Sequence, residues 1–104
     1  MNRLKVRLSD ASVNDIMEQA DWYEQRSSVT LAKRWDSAVT AAFLRIIANP
    51  HSGSPCTFHA GELQAVRRMP IAKFSKHLIF YRVEKGEIVI LRVIHGARDL
   101  ESLF

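Results

Sequence analysis

The feature that most constrains this chain is a pair of apolar runs placed for a hairpin. Leu78-Ile79-Phe80-Tyr81-Arg82-Val83 and Ile88-Val89-Ile90-Leu91-Arg92-Val93-Ile94 are rich in β-branched and aromatic residues. Between them Glu84-Lys85-Gly86-Glu87 is a turn signal, because its glycine can take the positive φ that a tight hairpin requires. Pairing Glu84 with Glu87 predicts Arg82 opposite Val89, Tyr81 opposite Ile90 and Ile79 opposite Arg92. On that register one face carries Lys76, Leu78, Phe80, Arg82, Val89, Leu91, Val93 and His95. The other carries His77, Ile79, Tyr81, Val83, Ile88, Ile90, Arg92 and Ile94. Both faces are largely apolar with embedded cations, so the pattern leaves open which one meets the rest of the protein. An arginine in such a strand needs a partner or an exit to water, and for Arg82 and Arg92 a helix carboxylate such as Asp15 or Glu18 is one candidate.

The elements before the hairpin follow from periodicity. Leu4 to Leu8 alternates apolar and basic residues, the pattern of a short, half-buried strand at or near a sheet edge. Ser9 is a candidate N-cap for a helix whose apolar positions are Val13, Ile16, Met17, Ala20 and Tyr23, with Asp15, Glu18, Asp21 and Glu24 mainly opposite. Ser28 or Thr30 can cap a second helix. Its set, Leu31, Trp35, Ala38, Val39, Ala42, Phe43, Ile46 and Ile47, has clear three-four spacing and stops at Asn49-Pro50. So short a connection predicts an antiparallel helical hairpin, with Trp22 and Trp35 as packing residues. His51 to Gly61 reads as a loop, and Leu63 to Met69 as a short strand ended by Pro70. Residues 99–104 are long enough for one further helical turn. The order is β-α-α-β-β-β, an α+β domain with a helical hairpin packed on a small, mostly antiparallel sheet.

The 104 residues suit a single domain, 1–104, with one core. No run approaches the ~20 apolar residues of a membrane span, and the N-terminus lacks the h-region of a secretory signal. A lone cysteine, Cys56, excludes an internal disulfide and fits the cytoplasm. Fifteen basic and eleven acidic residues give a net charge of +4. The excess is concentrated: Arg67, Arg68, Lys73, Lys76 and Arg82 fall in an acid-free stretch. Such a stretch suits an acidic partner, nucleic acid or peptide, or else a solvated sheet rim.

Dedicated chemistry is sparse. His51, His59, His77 and His95 are scattered, and none has zinc-ligand spacing with Cys56, so no metal is expected. Cys56 and His59 share a loop, but that proximity is not a catalytic arrangement and an ordinary thiol is the simpler reading. No glycine-rich phosphate loop is present, so no nucleotide cofactor is expected.

Taken together, several stretches resemble the RelE/ParE superfamily of toxins from type II toxin–antitoxin systems. They are VRLSDASVNDI, the ADWYE end of the first helix, the second helix closing on Asn49-Pro50, Val66-Arg67-Arg68, and above all IFYRVEKGEIVILRVIHGARD. The resemblance covers nearly the whole chain. RelE-like members are ribosome-dependent mRNA endonucleases that need groups to activate the ribose hydroxyl, protonate the leaving oxygen and stabilise the phosphorane. Here Arg98 matches the arginine after the last strand. Leu78, however, stands where that pattern has a second sheet arginine, and Phe104 where it has a terminal tyrosine. Phenylalanine cannot take over a proton-transfer role.

The HGARD unit is similar to ParE-like members, which trap DNA gyrase. The resemblance therefore implies a gyrase inhibitor, and leans away from an enzyme. The alternative is an mRNA endonuclease acting on the ribosome through His95 and Arg98. A second alternative is a non-toxic antitoxin-binding module. The resemblance also implies a cognate acidic antitoxin wrapped around the helices and sheet in a hetero-oligomer. Candidate contact residues for target or antitoxin are Arg67, Arg68, Lys73, Lys76, Arg82 and Arg98.

Overall fold

In the computed structural model, residues 4–57 and 65–96 are described. Strand β1 (Lys5–Leu8) leads into helix α1 (Asp10–Arg26) and helix α2 (Val29–Ala48), followed by β2 (Ser54–Pro55), β3 (Arg67–Ile71), β4 (Phe74–Glu84) and β5 (Glu87–His95). The sheet order is β1-β5-β4-β3-β2, with β1 parallel to β5 and the other pairs antiparallel. This is the expected α+β architecture, with one addition. Ser54–Pro55, inside the stretch read as loop, adds a two-residue edge strand to β3. The expected turn at 99–104, together with Leu63, His59 and Arg98, lies outside the described residues.

Caps fix both helices. Ser9 Oγ accepts from the Ser12 amide at 3.0 Å and donates to the Leu91 carbonyl at 2.8 Å, so one hydroxyl starts α1 and ties it to β5. Ser28 Oγ accepts from the Leu31 amide, and α2 ends at Ala48 before Asn49-Pro50. The core lies between helices and sheet. Trp35, Val39, Ala42 and Ile46 of α2 meet Ile79, Tyr81, Ile88, Ile90 and Val93. Trp35 is fully buried, and its indole N–H donates to the Ile16 carbonyl at 3.0 Å. The packing role expected of Trp22 is not observed. It is 51% exposed, as are Met17 (59%) and, at the margin, Val13 (38%) of the predicted apolar stripe. With only one layer beneath it, α1 has a narrower buried face than its spacing suggests.

The hairpin register holds at its turn and changes halfway along. Glu84 pairs with Glu87, Arg82 with Val89 and Tyr81 with Ile90, across a loop in which Lys85 and Gly86 both have positive φ. Beyond Tyr81 the register slips by one, so Phe80 faces Arg92 and Ile79 faces Val93, not Arg92 as expected. Leu91 is the extra residue of a β-bulge, and a one-residue slip moves every later side chain to the other face. Val93 therefore joins the core beneath the helices. Ile94 joins Val66, Phe80, Val89 and Leu91 on the opposite face.

The bulge forms where β1 runs out after Leu8 and leaves the β5 edge without a strand. Asp15 of α1 takes over there. Its carboxylate accepts from Arg92 Nε at 2.8 Å, from Arg92 Nη2 at 2.7 Å and from the Val93 amide at 3.0 Å. The Asp15 hydrogen bond, with the charges of Asp15 and Glu18, raises the Arg92 pKa against the opposing effect of burial. Among the described residues Arg92 meets a helix carboxylate, Asp15, whereas Arg82 pairs with Glu84 of its own strand. A second irregularity corrects the predicted end of β3. Pro70 does not stop the strand, which continues to Ile71 through a register shift beyond the reach of β2, where a missing N–H is tolerated.

Candidate functional site

The predicted cations do not form one surface. Arg67 lies opposite Tyr81, and its Nη1 donates to the Gly53 carbonyl at 2.8 Å and to the His51 carbonyl at 3.2 Å. It ties the post-helix segment to the sheet and is committed to structure. Tyr81 does the same from beneath, fully buried, donating to the Pro50 carbonyl and accepting from the Gly53 amide, each at 2.9 Å. Lys73 sits exposed in the turn between β3 and β4 with φ of +72°.

Arg68, Lys76 and Arg82 remain for the sheet face turned away from the helices. Arg68 pairs with Phe80, and Lys76, Leu78, Phe80 and Arg82 share that face by the alternation of β4. The face is a floor of Phe80, Leu78, Val89, Leu91 and Ile94 with cations along it. Cys56 packs there too. Burial pushes its thiol pKa up while nearby Arg68 pulls it down, and burial dominates, so the thiol is not activated.

His95, the candidate proton-transfer group, is elsewhere. The slip at Leu91 sets it opposite His77, whose ring packs edge-on against Trp35 with centroids 5.0 Å apart. The two imidazoles therefore lie on the helix side of the sheet. They border a cavity of about 510 Å³ lined also by Asp15, Glu18, Gln19, Trp22 and Tyr23. Burial, and the neighbouring His95, lower the His77 pKa.

A third region went unnoticed in the sequence. A groove of about 810 Å³ runs between α2 and the turn joining β3 and β4. Leu31, Ala38, Ala41 and Phe74 give it an apolar lining, and Lys33, Arg34, Arg45 and Lys73 give it cations. The signal was available: Arg34, Ala38, Ala41 and Arg45 recur at helical spacing as a small-and-basic stripe beside the apolar one.

Two helices on one face of a five-stranded, mostly antiparallel sheet define a fold seen in toxins of toxin–antitoxin systems. A solved structure of a chromosomal ParDE TA system from P. aeruginosa contains a similar chain. The TM-score is 0.74 at 15% sequence identity, over 91% of this chain and 98% of that one. A YoeB/ParE toxin from Agrobacterium tumefaciens is similar with a TM-score of 0.62 at 14% identity, over 89% of this chain and 99% of that one. A search of curated proteins finds no match. The sequence family described as the ParE toxin of type II toxin–antitoxin systems, parDE, matches residues 6–100. This chain belongs to that family, within the RelE/ParE superfamily.

Proposed function

We propose that this ParE-family toxin arrests growth by inhibiting DNA gyrase in the cytoplasm and is held inactive by a cognate acidic antitoxin. The observation that carries the reading is the separation of cations from proton-transfer groups. Arg68, Lys76 and Arg82 occupy the outer sheet face, whereas His77 and His95 lie on the helix side. Among the described residues that outer face presents no imidazole or phenol. RNA cleavage needs an acid and a base beside the phosphate it cuts, and hydrophobic Leu78 and Phe80 offer neither. A cationic, apolar surface suits binding of a protein–DNA complex. Arg98, which follows β5 in the sequence, is a further candidate contact residue in this reading. The groove lined by Arg34, Arg45 and Lys73 suits an acidic amphipathic segment of the antitoxin.

Adding purified toxin to gyrase and supercoiled plasmid tests the reading. Loss of supercoiling activity with accumulation of cleaved complex is expected, and a combined Arg68→Ala, Lys76→Ala and Arg82→Ala variant should weaken it. Unimpaired gyrase together with codon-phased cuts in translated mRNA, abolished by His95→Ala, would overturn it in favour of a ribosome-dependent endonuclease. Normal growth on overexpression without antitoxin would leave only a binding module.

A further inference from the structure

The register slip creates a pair of side chains that no uninterrupted hairpin would contain. With Glu84 opposite Glu87 and no bulge, His77 would face Ile94. The extra residue at Leu91 moves it to face His95. The Gly96 amide donates to the Lys76 carbonyl at 2.7 Å, and those are the residues flanking the pair. Hydrogen bonds made by the flanking residues mark His77 and His95 as a non-hydrogen-bonded pair, the kind whose side chains approach most closely. Their ring centroids are 5.7 Å apart. An ion about 2.0–2.1 Å from one nitrogen of each of two imidazoles holds the ring centroids roughly 5 Å apart, close to the separation of this pair.

We propose that His77 and His95 form a two-histidine chelating site for a borderline divalent transition-metal ion of the Zn²⁺ and Ni²⁺ class, clamping the ends of β4 and β5 together. Imidazole is the ligand such ions prefer over the carboxylates and carbonyls that suit Mg²⁺ or Ca²⁺. Among the described residues no cluster of three or more His, Cys, Asp or Glu side chains stands ready to hold an ion. The site is therefore bidentate, with its remaining positions taken by water in the cavity that Glu18, Gln19 and Trp22 also line. Trp35 braces one ligand, since its ring packs against His77 and its indole N–H is fixed to the Ile16 carbonyl. Asp15 supports the register by holding Arg92 and the Val93 amide just after the bulge. One nitrogen per ring is enough, leaving the second nitrogen of each imidazole for other hydrogen bonds.

The test is calorimetric titration of the metal-free, untagged full chain with Zn²⁺, paired with NMR of the histidine ring protons. One ion per chain should bind, shifting the rings of His77 and His95 together. His95→Gln should lower affinity roughly tenfold or more, since even an outer-shell change alters metal affinity by about that factor. His77→Gln should match it, with circular dichroism checking that the Trp35 contact has not cost the fold. If His77→Gln does not fold, exposed His95→Gln decides alone. Full-affinity binding in a folded His95→Gln or His77→Gln variant, binding abolished by His51→Gln, or no binding by the native chain overturns the assignment.

Discussion

Removing the Asp15 carboxylate is the most informative perturbation of this fold, because it joins a helix to the sheet at the bulge. The Asp15 and Arg92 side chains keep only 9% and 14% of their exposure, so solvent screens their attraction little. The carboxylate makes two bonds to the guanidinium and a third to the Val93 amide. Asp15→Ala strands a largely buried cation, and breaking a buried pair from one side costs about 3–5 kcal/mol. Asp15 borders the cavity of about 510 Å³, whose water lets the guanidinium recover some hydration and favours the lower end, about 3 kcal/mol including the lost amide bond. With a urea m-value of about 1.5 kcal/mol/M, the unfolding midpoint should fall by about 2 M at unchanged slope. In an Arg92→Met background the same substitution should cost only about 1 kcal/mol, since the Val93 amide alone then loses its acceptor. A cost below about 1 kcal/mol in the native background, or equal costs in both, would refute the claim that this ion pair anchors α1 to β5.

Other consequences are testable in the same way. Tyr81→Phe removes a hydroxyl that both donates to Pro50 and accepts from Gly53, and should cost about 1–3 kcal/mol, read as a lowered Tm. Ser9→Ala removes both the α1 cap and the bond to Leu91, so it should cost about 1–2 kcal/mol, at the upper end of helix-cap losses, in urea unfolding. The folded state holds the His77 pKa below that of the unfolded chain, so the unfolded state binds more protons as pH falls. Stability contributed by neutral His77 is therefore present above the unfolded pKa of about 6.5 and declines as pH falls from there toward the folded pKa. His77→Gln should flatten that decline when urea midpoints are measured between about pH 7 and pH 5.

The helices were legible because periodicity and caps agreed: Ser9, Ser28 and Pro50 mark boundaries that the structure keeps. The hairpin turn was legible because Gly86 at a two-residue loop leaves few alternatives. The bulge was not. Nothing in Ile90-Leu91-Arg92-Val93 distinguishes a straight strand from one with an inserted residue. The cause lies far away, where β1 ends and Asp15 arrives to accept the Val93 amide. The fates of the arginines were hidden for the same reason. Arg67 and Arg92 look alike in sequence, and only tertiary geometry sends one to loop carbonyls and the other to Asp15, while Arg82 pairs locally with Glu84 two residues on. Trp22 misled because helical spacing shows which residues share a face, not how wide a face the sheet can cover.

The bulge also bears on function, because it sorts the hairpin's ionisable groups between the two faces. Before Leu91, alternation keeps Arg82 on the outer face and Tyr81 in the core. Had the strand continued unbroken, His95 would share the face of Val89 and Leu91, opposite Lys76, where an imidazole beside a cation would be better placed for phosphate chemistry. The inserted residue turns His95 toward the helices and leaves Ile94 in its place. One residue of register thus decides whether that outer face carries an imidazole. Deleting Leu91 tests which residue is inserted: with it gone the ladder is regular, Phe80 still faces Arg92, and His95 should keep its contact with His77, seen as retained nuclear Overhauser effects between the rings. Loss of those effects in a folded variant would mean that Leu91 is not the residue that the ladder leaves unpaired.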